Sequence, residues 1–402
     1  MTVDETIYDC IVIGGGISGI SFAHYLHSID KKVLVMEKNK AIGGQIQSLP
    51  SEKNPDYWSE FGAHTCYNSY THLLSIVKDI DGAELILPLG KGSYMTYSEG
   101  RIKKMFADMS VLSIILNGPK IFFSSKKGKT VKEYFSNIVG RKNYDKLFSR
   151  LFRAVISQSA DNYPAELFLK RRKGRYEEFP RKFTFRRGIS QFLEAIVHED
   201  NLDVIFGSEV SHIQRDGDKY KIITSSGDVF FCSRIAIATD PQTTANLIVE
   251  FEKELANSLS TIPMFYSESV NVIVSKEKLS VPLVAGIIPI ADTFHSAVSR
   301  DLVEDDNLRS FTFHFEKGKS DENAQFEIIC DVLNIKQADI IEAKKVQHIL
   351  PSLNLAHLDM VEQVKETTKS EDIYILGNYF YGLSIEDCIH RSFDEFQRFK
   401  NH

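Results

Sequence analysis

Asp9-Cys10-Ile11-Val12-Ile13-Gly14-Gly15-Gly16-Ile17-Ser18-Gly19 is the stretch on which the fold of this chain turns. Its first half is a short apolar run rich in β-branched residues, the pattern of a strand buried in a parallel sheet. It runs directly into G-x-G-x-x-G. A helical stretch follows, with Ile20, Ala23 and Leu26 near one face, and then Lys32-Val33-Leu34-Val35-Met36 reads as a second strand ending in Glu37. Strand, glycine loop, helix, strand and acid in that order specify a dinucleotide-binding βαβ unit. Gly14 permits the tight turn, Gly16 lets the backbone approach a pyrophosphate, and Gly19 lets helix and strand pack closely. The helix N-terminus supplies free N–H groups and a positive dipole end. Glu37 stands 18 residues past Gly19, where a carboxylate can hold ribose hydroxyls.

The residues after Glu37 select among dinucleotides. Lys38-Asn39-Lys40-Ala41-Ile42-Gly43-Gly44-Gln45 puts a glycine pair six residues beyond the acid, so a second loop can approach the diphosphate and ribityl chain. This resembles the flavoprotein extension of the motif and favours FAD over NAD. The cofactor contacts predicted from this unit are Gly14, Gly16, Ile17, Ser18, Gly19, Glu37, Lys38, Gly43, Gly44 and Gln45.

Composition narrows the class. A chain of 402 residues predicts two domains. A formal charge of −6 argues against general nucleic-acid binding. The five cysteines, Cys10, Cys66, Cys232, Cys330 and Cys388, are scattered with no CxxC pair, so neither a metal site nor a disulfide framework is expected and a reducing, cytoplasmic setting fits. The N-terminus carries Asp4, Glu5 and Asp9 in place of a basic, then apolar, leader. The apolar run Val111 to Leu116 is far short of the roughly 18 residues that span a bilayer.

Further along, residues 105 to 185 predict mainly helix, with Val131, Tyr134, Phe135, Ile138, Tyr144, Leu147, Phe148 and Leu151 at helical spacing. From 203 to 238 the period shortens to runs broken by Gly207, Asp216-Gly217 and Ser226-Gly227-Asp228, a β-meander that returns to a buried strand at Arg234 to Thr239. Residues 263 to 316 read as strands and 324 to 345 as helix. The last segment carries its own signal. Ile373 to Leu376 is a strand, Gly377-Asn378-Tyr379-Phe380-Tyr381-Gly382 a turn, and Ser384 to Phe399 a helix capped through Ser384 and Asp387.

These residues resemble the flavin amine oxidase and protoporphyrinogen oxidase superfamily. The resemblance rests on Gly14 to Gly19, Glu37, Gly43-Gly44, Glu60 to Thr65, Gly207-Ser208-Glu209-Val210, Ala236 to Thr239, Leu350-Pro351 with His357, and Gly377 to Ile389. The last stretch, ending Glu386-Asp387-Cys388-Ile389, is closest to the protoporphyrinogen oxidase branch. The resemblance implies an α/β fold: a discontinuous Rossmann-type FAD domain over 1–68, 186–262 and 345–402, and an α+β substrate domain over 69–185 and 263–344 with a mainly helical insertion. It implies adenine contact through Val210, a flavin ring bordered by Gly62, Ala63, His64 and Leu383, Ser384 and Ile385, with Gly377, Asn378 and Gly382 in the adjoining turn. Tyr379, Tyr381 and His64 would face a small-molecule substrate. His64 reads equally as a catalytic group and as a packed, hydrogen-bonded ring, and no catalytic acid or base is assigned.

Gln45, where many amine oxidases have Arg, Asn378 in place of an acid, and the bulky Phe393 weigh against an amine oxidase. The implied reaction is hydride removal from an activated carbon to flavin N5. Two rivals share the fold: a redox-neutral flavoenzyme of the sugar mutase or carotenoid isomerase type, and a flavin-free binding protein like the GDP-dissociation inhibitors. Finally, Lys170-Arg171-Arg172-Lys173-Gly174-Arg175 with Arg181-Lys182 and Arg186-Arg187 holds nine basic residues against Glu177 and Glu178. It suits a peripheral anionic membrane contact, a carboxylate-bearing substrate, or a solvated face.

Overall fold

The computed structural model describes residues 7–107, 109–172, 174–291, 293–369 and 371–401; Asp4, Glu5 and Lys173 lie outside them. The chain opens with β1 (Ile7–Ile13), α1 (Ile17–His27) and β2 (Val33–Glu37), the expected βαβ unit. Short strands β3 (Ser48–Pro50), β4 (Trp58–Glu60) and β5 (Cys66–Tyr67) follow, then α2 (Thr71–Asp79), β6 (Ile86–Pro88), β7 (Tyr94–Ser98) and β8 (Arg101–Lys104). The helical part comprises α3 (Val111–Asn117), α4 (Val131–Val139), α5 (Arg141–Asn143) and α6 (Ser149–Ile156). Then come β9 (Lys182–Phe185), α7 (Ser190–Glu199), β10 (Asp203–Phe206), β11 (Val210–Asp216), β12 (Lys219–Thr224), β13 (Val229–Ile237), α8 (Pro241–Ile248) and α9 (Lys253–Ser260). The remainder is β14 (Met264–Ser275), β15 (Gly286–Pro289), β16 (Ser296–Ser299), β17 (Leu308–Glu316), α10 (Glu322–Leu333), β18 (Ile340–Pro351), α11 (Ala356–Thr368), β19 (Ile373–Ile375) and α12 (Ile385–Asn401).

Two sheets organise these elements. The first runs β10-β2-β1-β13-β12-β11, with β19 also on β13. Strands β10, β2, β1, β13 and β19 are mutually parallel, and β11 to β13 form an antiparallel meander. The second sheet runs β18-β14-β17-β16-β15-β7-β8. This is the mixed α/β architecture that the βαβ motif implies.

Three expectations are corrected. The run Val204-Ile205-Phe206 is not part of the meander: β10 adds in parallel to β2, pairing Phe206 with Glu37, because a parallel partner needs no adjacent turn. The described residues between 157 and 181 contain no regular helix, and β9 takes up 182–185. The segment 340–345 is the start of β18, not helix; its residues pair with β14. The domain boundary expected at 345 therefore falls inside a strand of the second sheet. Packing also crosses the boundary at 68/69, since Leu73, Leu74, Ile76 and Val77 of α2 share one buried cluster with Ile20, Leu26 and Val35.

The C-terminal helix is bolted onto the first sheet. Phe22 and Tyr25 of α1 meet Phe399 and Phe396 of α12, and the Ser392 hydroxyl donates to the Ser18 carbonyl at 2.8 Å. Arg391 is buried at 2% exposure. It donates from Nε and Nη2 to the Ile375 carbonyl at 3.1 and 3.0 Å, pairs with Glu395 at 2.6 Å, and lies 3.9 Å over the Phe380 ring. Arg391→Met is expected to cost about 3–5 kcal/mol in urea unfolding, because Glu395 is left buried beside Arg398 alone. The double variant Arg391→Met/Glu395→Leu should recover most of it.

Candidate functional site

The parallel strands end at one edge of the first sheet. Register places Ile13 beside Met36, Ile13 beside Ile237, and Ile237 beside Ile375. Glu37, Gly14, Ala238 and the Gly377 turn therefore emerge side by side at the carboxyl edge, where open α/β sheets bind ligands.

The glycines here answer to space. Gly14 has φ of +108°, and a Cβ on it would come within 2.7 Å of the Ala238 carbonyl oxygen. A Cβ on Gly19 would sit 2.0 Å from the Gly14 oxygen. Gly16 N-caps α1, with no side-chain cap and no acid in the first turn, so the first-turn N–H groups at Ile17, Ser18 and Gly19 face no competing side-chain acceptor. The Gly43 N–H donates to the Gly15 carbonyl at 2.9 Å, and Gly16 and Gly43 form a parallel bridge. The two glycine loops thus make one backbone-walled cradle, and these residues fit a diphosphate.

Glu37 is buried. Its carboxylate accepts the Gly15 N–H at 2.7 Å and the backbone and side-chain N–H groups of Asn39 at 2.8 and 2.7 Å. Beside it, Gly207 and Ser208 donate to the Asn39 and Glu37 carbonyls at 3.0 Å each. That lacing brings Val210, at the start of β11, to the same end as Glu37 and the exposed Lys38.

The segment after β4 is held from two sides. Phe61 N–H donates to the Gln47 carbonyl at 3.0 Å, and a Cβ on Gly62 would lie 2.4 Å from the Gln45 oxygen. From the second sheet, the Thr312 hydroxyl donates to the Glu60 carbonyl at 2.7 Å and the Ser269 hydroxyl to the Phe61 carbonyl at 3.0 Å. His64 is thereby fixed with Nε2 3.3 Å from the Tyr94 hydroxyl.

Sequence reasoning missed two histidines here. Ser269 pairs with His314, and Ser267 with His348, across β14; positions 267 and 269 share a face, so both imidazoles do too. His314 Nδ1 is 2.8 Å from the Ser269 hydroxyl. That hydroxyl already donates to Phe61, so Nδ1 must carry the proton. His348 Nδ1 is 3.0 Å from the Gln45 amide oxygen. The available signal was the alternation Ser310, Thr312, His314 against Phe311, Phe313, Phe315: a strand buried on both faces, one of them polar.

Every acid and imidazole of this group is pushed toward its uncharged form. Burial lowers His64 and His348. Burial, then the neighbouring His348, His64 and His295, push His314 down to about 3. Burial raises Tyr94 to about 12 and Glu60 to about 8, despite hydrogen bonds to Glu60 from the Ile189 N–H and the Ser48 hydroxyl. One cation lines the same cavity as Glu60 and His64. Arg300 stacks 4.2 Å over Tyr57 and 4.8 Å over Trp58, and its buried Nε and Nη1 have no hydrogen-bond partner among the described residues.

At the C-terminal turn, Gly377 and Gly382 have φ of +143° and +133°. Ser384 accepts the Asp387 N–H at 3.1 Å and donates to its carboxylate at 2.6 Å, so Asp387 answers the cap through the hydroxyl and not through the backbone N–H. Leu383 and Asn378 are half-buried, and Ile385 is buried at the head of α12. The basic stretch reaches this point. Lys170 and Arg172 pair with Asp387 at 3.1 and 3.3 Å, and Arg172 also donates to the Ser384 hydroxyl at 2.8 Å. Two tyrosines expected beside a substrate are turned away. Tyr379 is fully buried in the core with its hydroxyl 3.4 Å from Thr244. Tyr381 donates to Asp394 at 2.7 Å on α12.

Known proteins share this fold. The family described as Flavin containing amine oxidoreductase matches residues 17–276. The probable flavin-containing monoamine oxidase A of Dictyostelium discoideum is 27% identical over 130 residues, 32% of this chain and 24% of that protein. The aligned segments thus span about a quarter or less of the curated relatives' length. Among solved structures, a provisionally named protoporphyrinogen oxidase from Exiguobacterium sp. 255-15 superposes with a TM-score of 0.78 at 13% identity, covering 99% of each chain. A CLA-producing fatty acid isomerase from P. acnes superposes with a TM-score of 0.75 at 15% identity over 98% of each. At these identities the structures establish the fold alone.

Glu60 gives a pH test of the site's architecture. Its carboxyl is raised from 4.5 to about 8 in the folded chain, so its stabilising contribution is complete below pH 4.5 and is lost as pH rises through about 8. Relative to Glu60→Gln, the wild type is expected to lose thermal stability progressively over that window in scanning calorimetry. Parallel melting curves at every pH would refute the buried, neutral carboxyl.

Proposed function

The chain belongs to the flavin containing amine oxidoreductase family, and from that premise we propose that it is an FAD-dependent oxidase of the protoporphyrinogen oxidase type. It takes hydride from an activated, uncharged carbon centre of a carboxylate-bearing substrate. The observation that carries this reading is the burial of the grouped side chains His64, His314, His348, Tyr94 and Glu60, which drives each toward its uncharged form. Such a site disfavours an ionised base. Placement and exclusion of water are what this chain would contribute.

In this reading Glu37 holds the ribose, and the Gly14–Gly19 and Gly43–Gly44 loops hold the diphosphate. Val210 borders the adenine, and Gly62 to His64 with Leu383 to Ile385 border the ring. The flavin, when bound, supplies the two-electron acceptor at N5. Lys170 and Arg172, drawn to the head of α12 by Asp387, set positive charge where that helix's dipole already favours an anion. His314 keeps its proton on Nδ1, fixing the Phe61 segment through Ser269. Arg300, with two unpartnered donors, is the group at which a substrate carboxylate would dock. The fatty acid isomerase fold favours a second reading, a redox-neutral reaction on a carboxylated lipid.

Purified protein is expected to be yellow and to release FAD on denaturation. Glu37→Ala should weaken FAD binding by roughly 1.5–3 kcal/mol in fluorescence titration of the apoprotein, through loss of a charge-assisted contact. A colourless protein that cannot be reconstituted refutes the reading. Turnover that consumes no electron acceptor replaces the oxidase with the isomerase.

A further inference from the structure

Helix α3 is turned inside out. Ser110, Ser113, Ile114 and Asn117, spaced along one face, look toward the protein. Ser110 is clasped at its N–H and C=O by Asn143, at 2.9 Å each. The Ser113 hydroxyl donates to the Val139 carbonyl at 3.2 Å, and Ile114 packs on the core. The outward face is Val111, Leu112, Ile115 and Leu116, at 62 to 67% exposed. The tight helical turn Gly118–Phe123 that follows ends in Ile121, Phe122 and Phe123, exposed by 50%, 85% and 91%. A water-facing helix normally presents the opposite arrangement, and contiguous exposed apolar surface of this kind marks an interaction site.

The charges around it name the partner. Between Arg101 and Lys132 the sequence holds Arg101, Lys103, Lys104, Lys120, Lys126, Lys127, Lys129 and Lys132 against one acid, Asp108, on a chain of net charge −6; Lys103 and Lys132 are paired with Glu99 and Asp161 from outside that stretch. Lys126 also reaches the carbonyls of Phe168 and Leu169, at 2.6 and 3.2 Å, which brings the exposed Leu169 next to it. Two copies meeting through this face would set these lysines against their own counterparts. Among the described residues no helix is long and apolar enough to cross a membrane. We propose that α3 and the tight turn after it, residues 109–123, with the lysines that flank them, dock the enzyme on an anionic lipid bilayer. The aliphatic and phenyl groups enter the headgroup–acyl boundary while the lysines meet the phosphates.

Flotation of the protein as purified with vesicles tests this. The wild type is expected to bind phosphatidylglycerol-containing phosphatidylcholine vesicles at least about tenfold better than pure phosphatidylcholine, and to release at high salt. Phe122→Ser/Phe123→Ser should lower binding at least about tenfold, with flavin spectrum and melting temperature unchanged because both rings are already in water. Lys104→Glu/Lys127→Glu should abolish the preference for anionic lipid. Leu283→Ser, an exposed leucine elsewhere, should change nothing. The proposal fails if the wild type ignores both vesicles or the phenylalanine variant floats like wild type. It also fails if the wild type is a dimer that this variant dissociates while neither binds lipid.

Discussion

A Cβ on Gly19 would stand 2.0 Å from the carbonyl oxygen of Gly14, and one on Gly14 would stand 2.7 Å from that of Ala238. These two approaches bring α1 against the ends of β1 and β13 with no side chain between. The backbone therefore forms the floor of the carboxyl-edge crevice, and α1 points its uncapped first turn across it. Gly43 then closes the crevice by donating to Gly15. Any side chain at these positions moves the helix, and with it α12, whose Ser392 is tied to Ser18.

The second sheet depends on that floor through a buried polar seam. Ser59, Glu60 and Phe61 are met by Ser310, Thr312 and Ser269. Each bond satisfies a group that would otherwise be buried without a partner, which makes the seam directional where apolar packing is not. His64, His314 and His348 are collected at its end. Burial is what keeps them neutral, so the seam sets both the position and the charge of the candidate site.

A second set of charges gathers at the head of α12. The acids at the head of α12 are each engaged. Glu386 accepts the His72 and Leu73 N–H groups at 3.0 and 3.1 Å, capping α2, and Asp387 holds Lys170 and Arg172. A basic stretch that reads as surface in one dimension is thereby divided. Its first residues serve the turn at the head of α12. Others are spent locally, with Arg187 near Glu194 at 3.4 Å and Arg186 on the Glu84 carbonyl at 2.7 Å.

What the sequence determined by itself was local. The βαβ unit, the glycine pair and the C-terminal strand–turn–helix were legible because glycine φ values, strand period and helix caps are set by residues within a few positions of one another. Gly14 to Gly19 and Glu37 could be assigned to one end of a sheet on that basis, whereas Gly377 to Ser384 were placed beside them only by the family resemblance. The meander was legible from β11 onward, whereas β10 was assigned to it by adjacency alone. His314, His348, Arg300, the fate of Tyr379 and the outward apolar face of α3 were decided only by tertiary structure. A strand's alternation says that two faces differ, and a helix's period says the same. Neither says which face is buried or what lies opposite it, since that follows from sheet register between segments as far apart as Ser269 and His314 or Ser267 and His348.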